Sequence, residues 1–428
     1  MTEQSRQRRC GVLTVVLALP ALACSSDQAP RVSVTERDSA GIAITEHPAN
    51  ASTEDVAQLH GIEVVSIGAL EGNAAETFDR IADMATDLDG HLHVLDAGDQ
   101  LVEVYDSDGS WIYRYGGSGE GPAEFQGASL LIPLGDSMGV YDYRNQKVAL
   151  FGREGSLLAT RRWELPIFEF GLPSELTAIP GGLAGVFQTG CSMPPPEDRR
   201  PTWKLLTLGA NGSLKDTVAL RFRSDLLPLY GERFCSVIPA LAGSGYQVAV
   251  RKDGIAAFTA EREYEISLLQ LSAREEADHH GDLPTPDRII RRGLDPTMVT
   301  TAQIAEYRDR HLTGPEDDPI GLDRVEAIKQ ALDSTDVPES YPQIAALLWD
   351  DADRLWVGRA VVDGTANRTW DVYDGVGRLV AEAVLPAELD NVLVTENMVW
   401  GTLRDELDVM YVKGFLLEEQ EPSGGPDH

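Results

Sequence analysis

Long hydrophobic runs are scarce in this 428-residue sequence. The one clear example is the stretch from Gly11 to Ala23, which has thirteen residues and no charge. A helix needs about 20 apolar residues to cross a bilayer, so this stretch is too short. The sequence therefore predicts no transmembrane helix.

Basic residues are also in short supply. The chain has 36 Lys and Arg residues against 69 Asp and Glu residues, which gives a formal net charge of −33. Nucleic-acid binding depends on neutralising phosphates with basic side chains, and attraction to anionic lipid depends on the same charges. The composition therefore excludes a general electrostatic affinity for nucleic acid and argues against one for anionic membranes.

Motifs of common catalytic sites are missing as well. The chain has no G-x-S-x-G elbow, no G-x-x-x-x-G-K-S/T loop and no H-E-x-x-H motif. The glycine-rich loop at 116–121 lacks the third glycine of a dinucleotide-binding fingerprint. We predict no catalytic residue and no cofactor from the sequence.

The amino-terminal segment, by contrast, has the features of an export signal. Arg6, Arg8 and Arg9 precede the apolar run, which ends in Ala-Leu-Ala directly before Cys24. A basic start, a short apolar stretch and small residues before the cleavage point define a secretory signal, here residues 1–23. The ending resembles the lipobox of bacterial lipoproteins, although its leucine lies two residues before the cysteine instead of three.

This resemblance implies that a lipid on Cys24 anchors the exported chain to a membrane. Ser25, directly after the lipid site, resembles a sorting signal for the outer membrane. The alternative is ordinary cleavage after Ala23 without lipidation.

Export changes the meaning of the four cysteines. Cys10 is removed with the signal and Cys24 is the lipid site. Cys191 and Cys235 then remain in an oxidising compartment, where disulfides persist. We predict a bridge between these two; the alternative is a pair of unpaired buried thiols.

An internal repeat of 46 residues occupies the first third of the chain. Eight positions recur without a gap: Leu92/Met138, Val94/Val140, Asp96/Asp142, Gln100/Gln146, Val102/Val148, Val104/Leu150, Tyr105/Phe151 and Gly109/Gly155. Apolar residues alternate within each copy, and D-x-D-G turns separate the apolar segments, which is the signal of strands and hairpins. Each copy holds about four strands and therefore corresponds to one blade of a β-propeller.

Weaker copies continue along the chain and give a total of six blades over residues 61–416. The segment 61–68 resembles an outer strand whose blade partners lie at 392–412, and pairing the two would close the ring and remove exposed strand edges. We predict an all-β fold: a six-bladed propeller of four-stranded blades closed by an N-terminal strand. Residues 24–60 are expected to be a tether and extension, and residues 417–428 a disordered tail.

A helical insertion is predicted within residues 271–342, where the strand pattern stops. Asp295-Pro296 has the form of a helix start and Gly314 the form of a stop. Val325, Ile328 and Leu332 are spaced as one face of a second helix. A rim decoration is favoured over a lid.

The repeat D-x-D-G-H-L-H-V-L-D, followed by V-Y-D-x-x-G, resembles the NHL-repeat propellers. The loop G-G-S-G-E-G-P-A-E-F at 116–125 and the R-L-W-V segment at 354–357 resemble six-bladed propeller lipoproteins of Bacteroidetes and Gemmatimonadetes type. The likeness covers residues 60 to 415. That family is largely without an assigned activity, so the resemblance implies a fold and an exported location more than a function.

The sequence gives little support for a metal site. His91 and His93 alternate on one strand and share a face, but spacing suggests no further ligand. The D-x-D-G turns lack the remaining acidic ligands of a calcium loop. We predict no metal at either place and interpret these residues as parts of turns and packing.

The loops after the second strand of each blade are the candidate ligand face, because they open onto one end of the ring. They contain Asp96, Gln100, Asp142, Arg144, Asn145 and Arg359. The preferred hypothesis is a tethered scaffold that binds a small polar ligand or a protein. The alternative is a metal-dependent hydrolase or lyase, similar to lactonases, with a site on the propeller axis; fold alone permits this and cannot establish it.

Overall fold

The computed structural model describes residues 34–49, 56–72, 76–189, 202–223, 226–231, 234–243, 246–259, 262–271, 285–312, 319–362, 364–396 and 398–419. The described chain begins with strands β1 (Thr35–Ser39), β2 (Ile42–His47) and β3 (Ala57–Ile67). Cys24 and Cys191 lie outside the described residues. No helix within the described part has the length and apolar character needed to cross a membrane.

The first three blades follow in chain order as four-stranded antiparallel sheets. Blade 1 contains β4 (Ile81–Thr86), β5 (Leu92–Asp96), β6 (Leu101–Tyr105) and β7 (Trp111–Gly116). Blade 2 contains β8 (Ala128–Leu134), β9 (Ser137–Asp142), β10 (Lys147–Phe151) and β11 (Leu157–Arg162), and the short helix α1 (Ile167–Phe170) follows it. Blade 3 contains β12 (Leu172–Ile179), β13 (Gly182–Gln188), β14 (Thr202–Leu208) and β15 (Leu214–Arg223).

A hairpin and two helices interrupt the second half of the ring. The hairpin is β16 (Leu226–Tyr230) and β17 (Cys235–Pro239); blade 4 follows as β18 (Val248–Val250), β19 (Ile255–Phe258), β20 (Glu265–Gln270) and β21 (Arg288–Arg292). Helices α2 (Thr301–Leu312) and α3 (Pro319–Asp333) precede blade 5, which is β22 (Ile344–Trp349), β23 (Leu355–Arg359), β24 (Asn367–Tyr373) and β25 (Leu379–Pro386). Blade 6 contains β26 (Asp390–Val394), β27 (Met398–Arg404) and β28 (Met410–Glu419).

The turn between β4 and β5 shows why the repeat folds as hairpins. The Asp87 carboxylate accepts hydrogen bonds from the backbone N–H groups of Asp89 and His91, both at 2.9 Å. Gly90 has φ +85°, a backbone conformation that L side chains rarely adopt. The aspartate and the glycine of D-x-D-G therefore each meet a local requirement of the turn.

The N-terminal strand β3 closes the ring, as predicted. It pairs antiparallel with β28, with Ile67 opposite Val412, and becomes the fourth strand of blade 6. The first strands of neighbouring blades also contact one another, with β4 against β8, β8 against β12, β18 against β22 and β26 against β4. The contact between β26 and β4 joins the last blade to the first, so the predicted propeller fold is confirmed.

The hydrophobic core is divided among the gaps between successive blades. Phe125 and Phe151 of blade 2 pack with Val102 and Tyr115 of blade 1, and equivalent clusters occupy the other gaps. The cluster between blades 6 and 1 includes Trp400, together with residues of β3. Each sheet is thus buried on both faces, which explains the continuous apolar segments of its inner strands.

The insertion between β21 and β22 contains two helices, as expected, with differences in detail. The first begins at Thr301 instead of Pro296, because Thr300 and Gln303 form a reciprocal capping box. Strand β21 also lies inside the predicted insertion 271–342 and completes blade 4. Ile328 and Leu332 of α3 pack against the hairpin β16–β17, so the helices and the hairpin form one cap with its own small core.

Both ends of the chain contain more strand than the sequence indicates. The segment 24–60, expected to be a tether, includes β1 and β2, and β2 extends blade 4 by pairing parallel to β21. Strand β3 begins at Ala57 and first pairs parallel with β25 of blade 5. Strand β28 continues to Glu419, into the tail 417–428 that was expected to be disordered.

Candidate functional site

The strand order places one set of loops at a common end of the ring. The strands of an antiparallel blade alternate in direction. The turn between the second and third strands and the connection to the next blade therefore both lie at the end of the ring where the first strand begins. We call this the entry end. The cap and the predicted ligand-face residues both belong to the entry end.

Two of those residues, Asp96 and Asp142, serve the backbone. Both are buried. The Asp96 carboxylate accepts hydrogen bonds from the N–H groups of Arg80 and Gly98, at 3.0 and 2.8 Å. The Asp142 carboxylate accepts an equivalent bond from Gln126 at 3.1 Å. Each aspartate therefore ties a turn to the start of its blade's first strand, which accounts for its place in the repeat.

Gln100 and Asn145 are similarly engaged. Gln100 has φ 59° and accepts a hydrogen bond from the backbone N–H of Ala128 in the next blade, at 2.9 Å. The Asn145 amide donates to Asp142 at 2.7 Å. Arg144 is exposed and lies against the ring of Tyr143. A role in ligand binding stays a prediction for these residues, and Arg144 is the most open of them to solvent.

Arg359 belongs to a buried charge network between blades 4 and 5. Its guanidinium pairs with Asp371 at 2.6 Å and with Glu382, and these two carboxylates lie directly opposite each other on β24 and β25. Arg292, the last residue of β21, pairs with Asp371 at 2.8 Å and Glu382 at 2.7 Å. The Tyr264 hydroxyl donates to Asp371 at 2.5 Å. We call these five residues the Asp371 network.

Burial and ion pairing act in opposite directions within the Asp371 network. Burial favours the neutral form of Glu382, but the hydrogen bond and charge of Arg292 and the charge of Arg359 hold the pKa of that carboxyl below its ordinary value. Burial also opposes the charge on Arg359, and Asp371 and Glu382 nevertheless raise the pKa of its guanidinium. Glu382 and Arg359 therefore both stay charged at neutral pH despite their burial.

A cavity of about 720 Å³ adjoins this network at the entry end, and we call it the network cavity. Three parts of the chain form it: the end of β2, the start of β20 together with the end of β21, and the two ends of the helical insertion. Its wall includes His47 and Arg292, which are 4% and 6% exposed. One polar atom of each, His47 Nδ1 and Arg292 Nε, has no hydrogen-bond partner and is buried behind the cavity wall.

A second cavity, of about 200 Å³, lies within the cap. Its wall is mainly apolar and includes Leu227, Leu241, Ile304 and Leu332. The network cavity is larger and its wall holds more charged side chains, so it is the better candidate for a polar ligand.

The inner strands carry a pair of half-buried carboxylates that the sequence did not single out. Asp83 on β4 accepts a hydrogen bond from the backbone N–H of Leu131 in blade 2, at 2.7 Å. Glu175 on β12 accepts one from Val250 in blade 4, at 3.3 Å. Burial raises the pKa of both carboxyls, that of Asp83 to about 7, and the charge of Glu175 adds to the effect on Asp83.

At the opposite end of the ring, three potential metal ligands of blade 1 lie in the turn between β4 and β5. Asp87, Asp89 and His91 bring one potential ligand atom each within 4.8 Å of one another. Asp87 is already hydrogen-bonded to the His91 ring at 3.0 Å, and it contacts His93 at 3.4 Å. His93 also contacts the Tyr115 hydroxyl, so both histidines have partners within blade 1.

The structure describes only one of the two cysteines of the predicted disulfide. Cys235 begins β17 and is disulfide-bonded, while Cys191 lies outside the described residues, so the pairing of the two stays a prediction. Non-reducing peptide mapping of exported protein should show the two cysteine peptides joined, and Cys235→Ser should lower the melting temperature. Free thiols at both positions would contradict the prediction.

Comparisons with known proteins find only distantly similar structures. No family model matches the sequence, and no curated protein matches it. A Bacteroides fragilis protein described as exported shares 11% identity over 88% of this chain and 100% of its own, with a TM-score of 0.43. A DUF4221-family member from Bacteroides vulgatus shares 8% over 85% of this chain and 99% of its own, with a TM-score of 0.45.

Regucalcin from Agrobacterium tumefaciens, described as a calcium-binding protein, is a third similar structure. It shares 11% identity over 88% of this chain and 97% of its own, with a TM-score of 0.38. At these values the similarities carry no argument about ligand or activity. The fold rests on the strand pairing of the chain itself, and the function has to be argued from the network cavity.

Proposed function

We propose that this chain is an exported, lipid-anchored β-propeller that binds a small polar ligand in the network cavity. One observation carries the proposal: a cavity of about 720 Å³ opens at the entry end beside the Asp371 network, and its wall combines charged side chains with apolar ones. The exposed carboxylates of Glu263 and Glu339 on that wall can accept hydrogen bonds from a ligand. The site therefore favours an occupant with polar groups.

The size and shape of the cavity support the same proposal. Small-molecule sites are typically concave, with volumes of about 300–1,000 Å³, and a few polar groups fix the ligand's orientation. The network cavity has this volume, and its wall includes Arg292 and Tyr264 of the ion-paired network between blades 4 and 5. Such a wall orients a ligand without having to reorganise first.

The alternative, a metal-dependent hydrolase or lyase, requires three or more donors that converge on the axis. Asp83 and Glu175 lie on the described inner strands, and each accepts one hydrogen bond from the backbone of a neighbouring blade and one from its own blade. No specific observation in the described residues favours that alternative over binding. We therefore propose the scaffold function.

A screen of polar compounds against the mature chain tests the binding site. Gly293 lines the cavity, and a Cβ there meets nothing closer than 3.9 Å, so Gly293→Leu should fold and fill part of the space. Gly375→Leu, at an exposed position with nothing within 4 Å, is the matched control. We expect a panel of sugars, carboxylates, phosphates and amines to contain a compound that raises the melting temperature.

The variants decide where that compound binds. The proposal predicts that the rise persists in Gly375→Leu and disappears in Gly293→Leu. No rise with any compound, or an unchanged rise in Gly293→Leu, would contradict it.

Lipid anchoring is tested separately from the ligand. We expect labelled fatty acid on the wild-type protein and its recovery in the membrane fraction. Cys24→Ala should give unprocessed or soluble protein, because the thiol that takes the lipid is gone. Recovery of unlabelled wild-type protein in the soluble fraction would show that the signal is cleaved in the ordinary way.

A further inference from the structure

We infer that the cavity within the cap, here called the cap cavity, binds a small uncharged apolar molecule of one or two rings. The cap cavity and the network cavity have one lining residue in common, Arg262, and are otherwise formed by different parts of the chain. This second site therefore goes beyond the proposed function. Its position in the cap, the engaged polar groups of its wall and the charges around it support a ligand of this class.

The cap cavity is a gap in the small hydrophobic core of the cap. Leu227 of β16, Tyr307 of α2 and Leu332 of α3 belong to that core, and each also lines the cavity. Protein interiors contain few gaps larger than a water molecule, and a gap left in a core normally destabilises the fold. A gap of about 200 Å³ is therefore unusual, and an occupant that fills it restores the missing contacts.

Polar side chains in the wall are engaged with the backbone of the cap and its surroundings. The Tyr307 hydroxyl donates to the carbonyl oxygen of Pro239 at 2.5 Å, and the Thr335 hydroxyl donates to that of Ala331 at 2.7 Å. The Arg262 guanidinium donates to three backbone carbonyl oxygens. Each water molecule in a cavity needs about 2–4 polar partners, and these groups already serve the backbone. The wall therefore suits an apolar occupant better than a cluster of water.

The charges around the cap cavity disfavour an ionised ligand. Arg308 lines the cavity and pairs with Asp333 at 3.0 Å, so its charge is already compensated. Asp336, the acidic residue of the wall, is exposed and repels an anion. A cation meets the guanidinium groups of Arg262 and Arg308 instead. An uncharged ligand avoids both repulsions and does not have to give up the hydration of an ion.

The size of the cavity and its aromatic residues indicate a ligand with one or two rings. An apolar cavity of about 150 Å³ lined by Leu, Ile and Phe binds benzene, so about 200 Å³ admits a molecule of one or two rings. Tyr246 and Tyr307 line the cap cavity together with Leu241 and Ile304. Aromatic rings pack favourably against one another in edge-to-face or offset arrangements, which favours a ring over an open chain.

Titration calorimetry on the mature chain tests the inference. The neutral probes are toluene, indole and benzofuran; benzoate and benzylammonium are the anionic and cationic comparators of similar size. We expect at least one neutral probe to bind with a negative heat-capacity change, because apolar surface is buried. Its Kd should change less than about twofold between low and high salt, because no ligand charge is screened. The charged comparators should bind at least about tenfold more weakly.

Variants that fill the cap cavity show where the probe binds. Ile304 on α2 and Ala240, directly after β17, line the cavity from two elements. Ile304→Trp and Ala240→Leu should each weaken binding at least about tenfold, because the larger side chain occupies the space of the probe. Leu88→Trp is the matched control, since Leu88 is 73% exposed in the turn between β4 and β5. Thermal melts show that each variant is folded, and either cavity variant keeps the test decisive if the other is unstable.

Three results would overturn the inference. The first is that no neutral probe binds. The second is that benzoate or benzylammonium binds as tightly as the neutral probes, because the site then does not select an uncharged ligand. The third is unchanged binding in both cavity variants, because the probe then lies elsewhere. None of these results bears on the proposed function, which the polar compounds and Gly293→Leu test at the network cavity.

Discussion

Asp371→Asn should lower the free energy of unfolding by about 3–5 kcal/mol, because it leaves two buried guanidinium groups with one carboxylate between them. Asp371 is completely buried, and its carboxylate pairs with both Arg292 and Arg359. The asparagine has nearly the same shape, so the loss reports charge and not a cavity. Urea denaturation of the two proteins measures the difference.

An exposed ion pair gives the matched control. Arg378 and Glu36 are more than half exposed, and Arg378→Gln should change stability by less than about 1 kcal/mol. A loss below about 1 kcal/mol for Asp371→Asn as well would show that the Asp371 network does not join blades 4 and 5 energetically. The wall of the proposed site would then lack its rigid support.

The second large effect concerns pH. Burial raises the pKa of Asp83 to about 7, so the folded chain binds this proton more tightly than the unfolded chain does. Stability from the proton is fully present below about pH 4 and is lost as pH rises to about 7, a difference of about 4 kcal/mol at most. Asp83→Asn should therefore be more stable than the wild type at pH 8 and similar to it near pH 4.

Melting curves from pH 4 to pH 8 measure this effect. The asparagine oxygen can still accept the N–H of Leu131, so the link between blades 1 and 2 is kept. Asp136→Asn, in the exposed turn between β8 and β9, should follow the wild-type curve. Parallel curves for the wild type and Asp83→Asn would mean that Asp83 is not a buried carboxyl in solution.

The repeat made the propeller predictable from sequence. The 46-residue offset aligns the second and third strands of blades 1 and 2, and Gln100 and Gln146 even share a positive φ. These positions recur because both blades form the same hairpin turns and pack against their neighbours in the same way. Asp96 and Asp142 were poor guides to a ligand site for the same reason. Their repeated position reflects a structural role in the turn of each blade, not contact with a ligand.

The candidate cavity could not be predicted because it joins distant segments. His47 lies 245 positions before Arg292, and β2 meets β21 through a parallel pairing that no local pattern announces. Asp371 offered a weak signal, as a charged residue within the apolar strand Trp370 to Tyr373. Its partners became visible only when blades 4 and 5 were placed side by side.

The predicted start of helix α2 was wrong because two helix-start signals lie close together in the sequence. Asp295-Pro296 is a good helix start, yet Thr300 with Gln303 satisfies more backbone groups and begins α2 at Thr301. Pro296 and Met298, just before that helix, line the network cavity instead. The stretch that the sequence assigned to a helix is therefore part of the proposed site.

A crystal structure of the mature chain with the polar compound that raises its melting temperature most tests the central claim most directly. The account predicts density for that compound in the network cavity, between Arg292 and the helical insertion. The compound bound elsewhere, on the axis beside Asp83 and Glu175 or on the cap, with only ordered water in the network cavity, would contradict it.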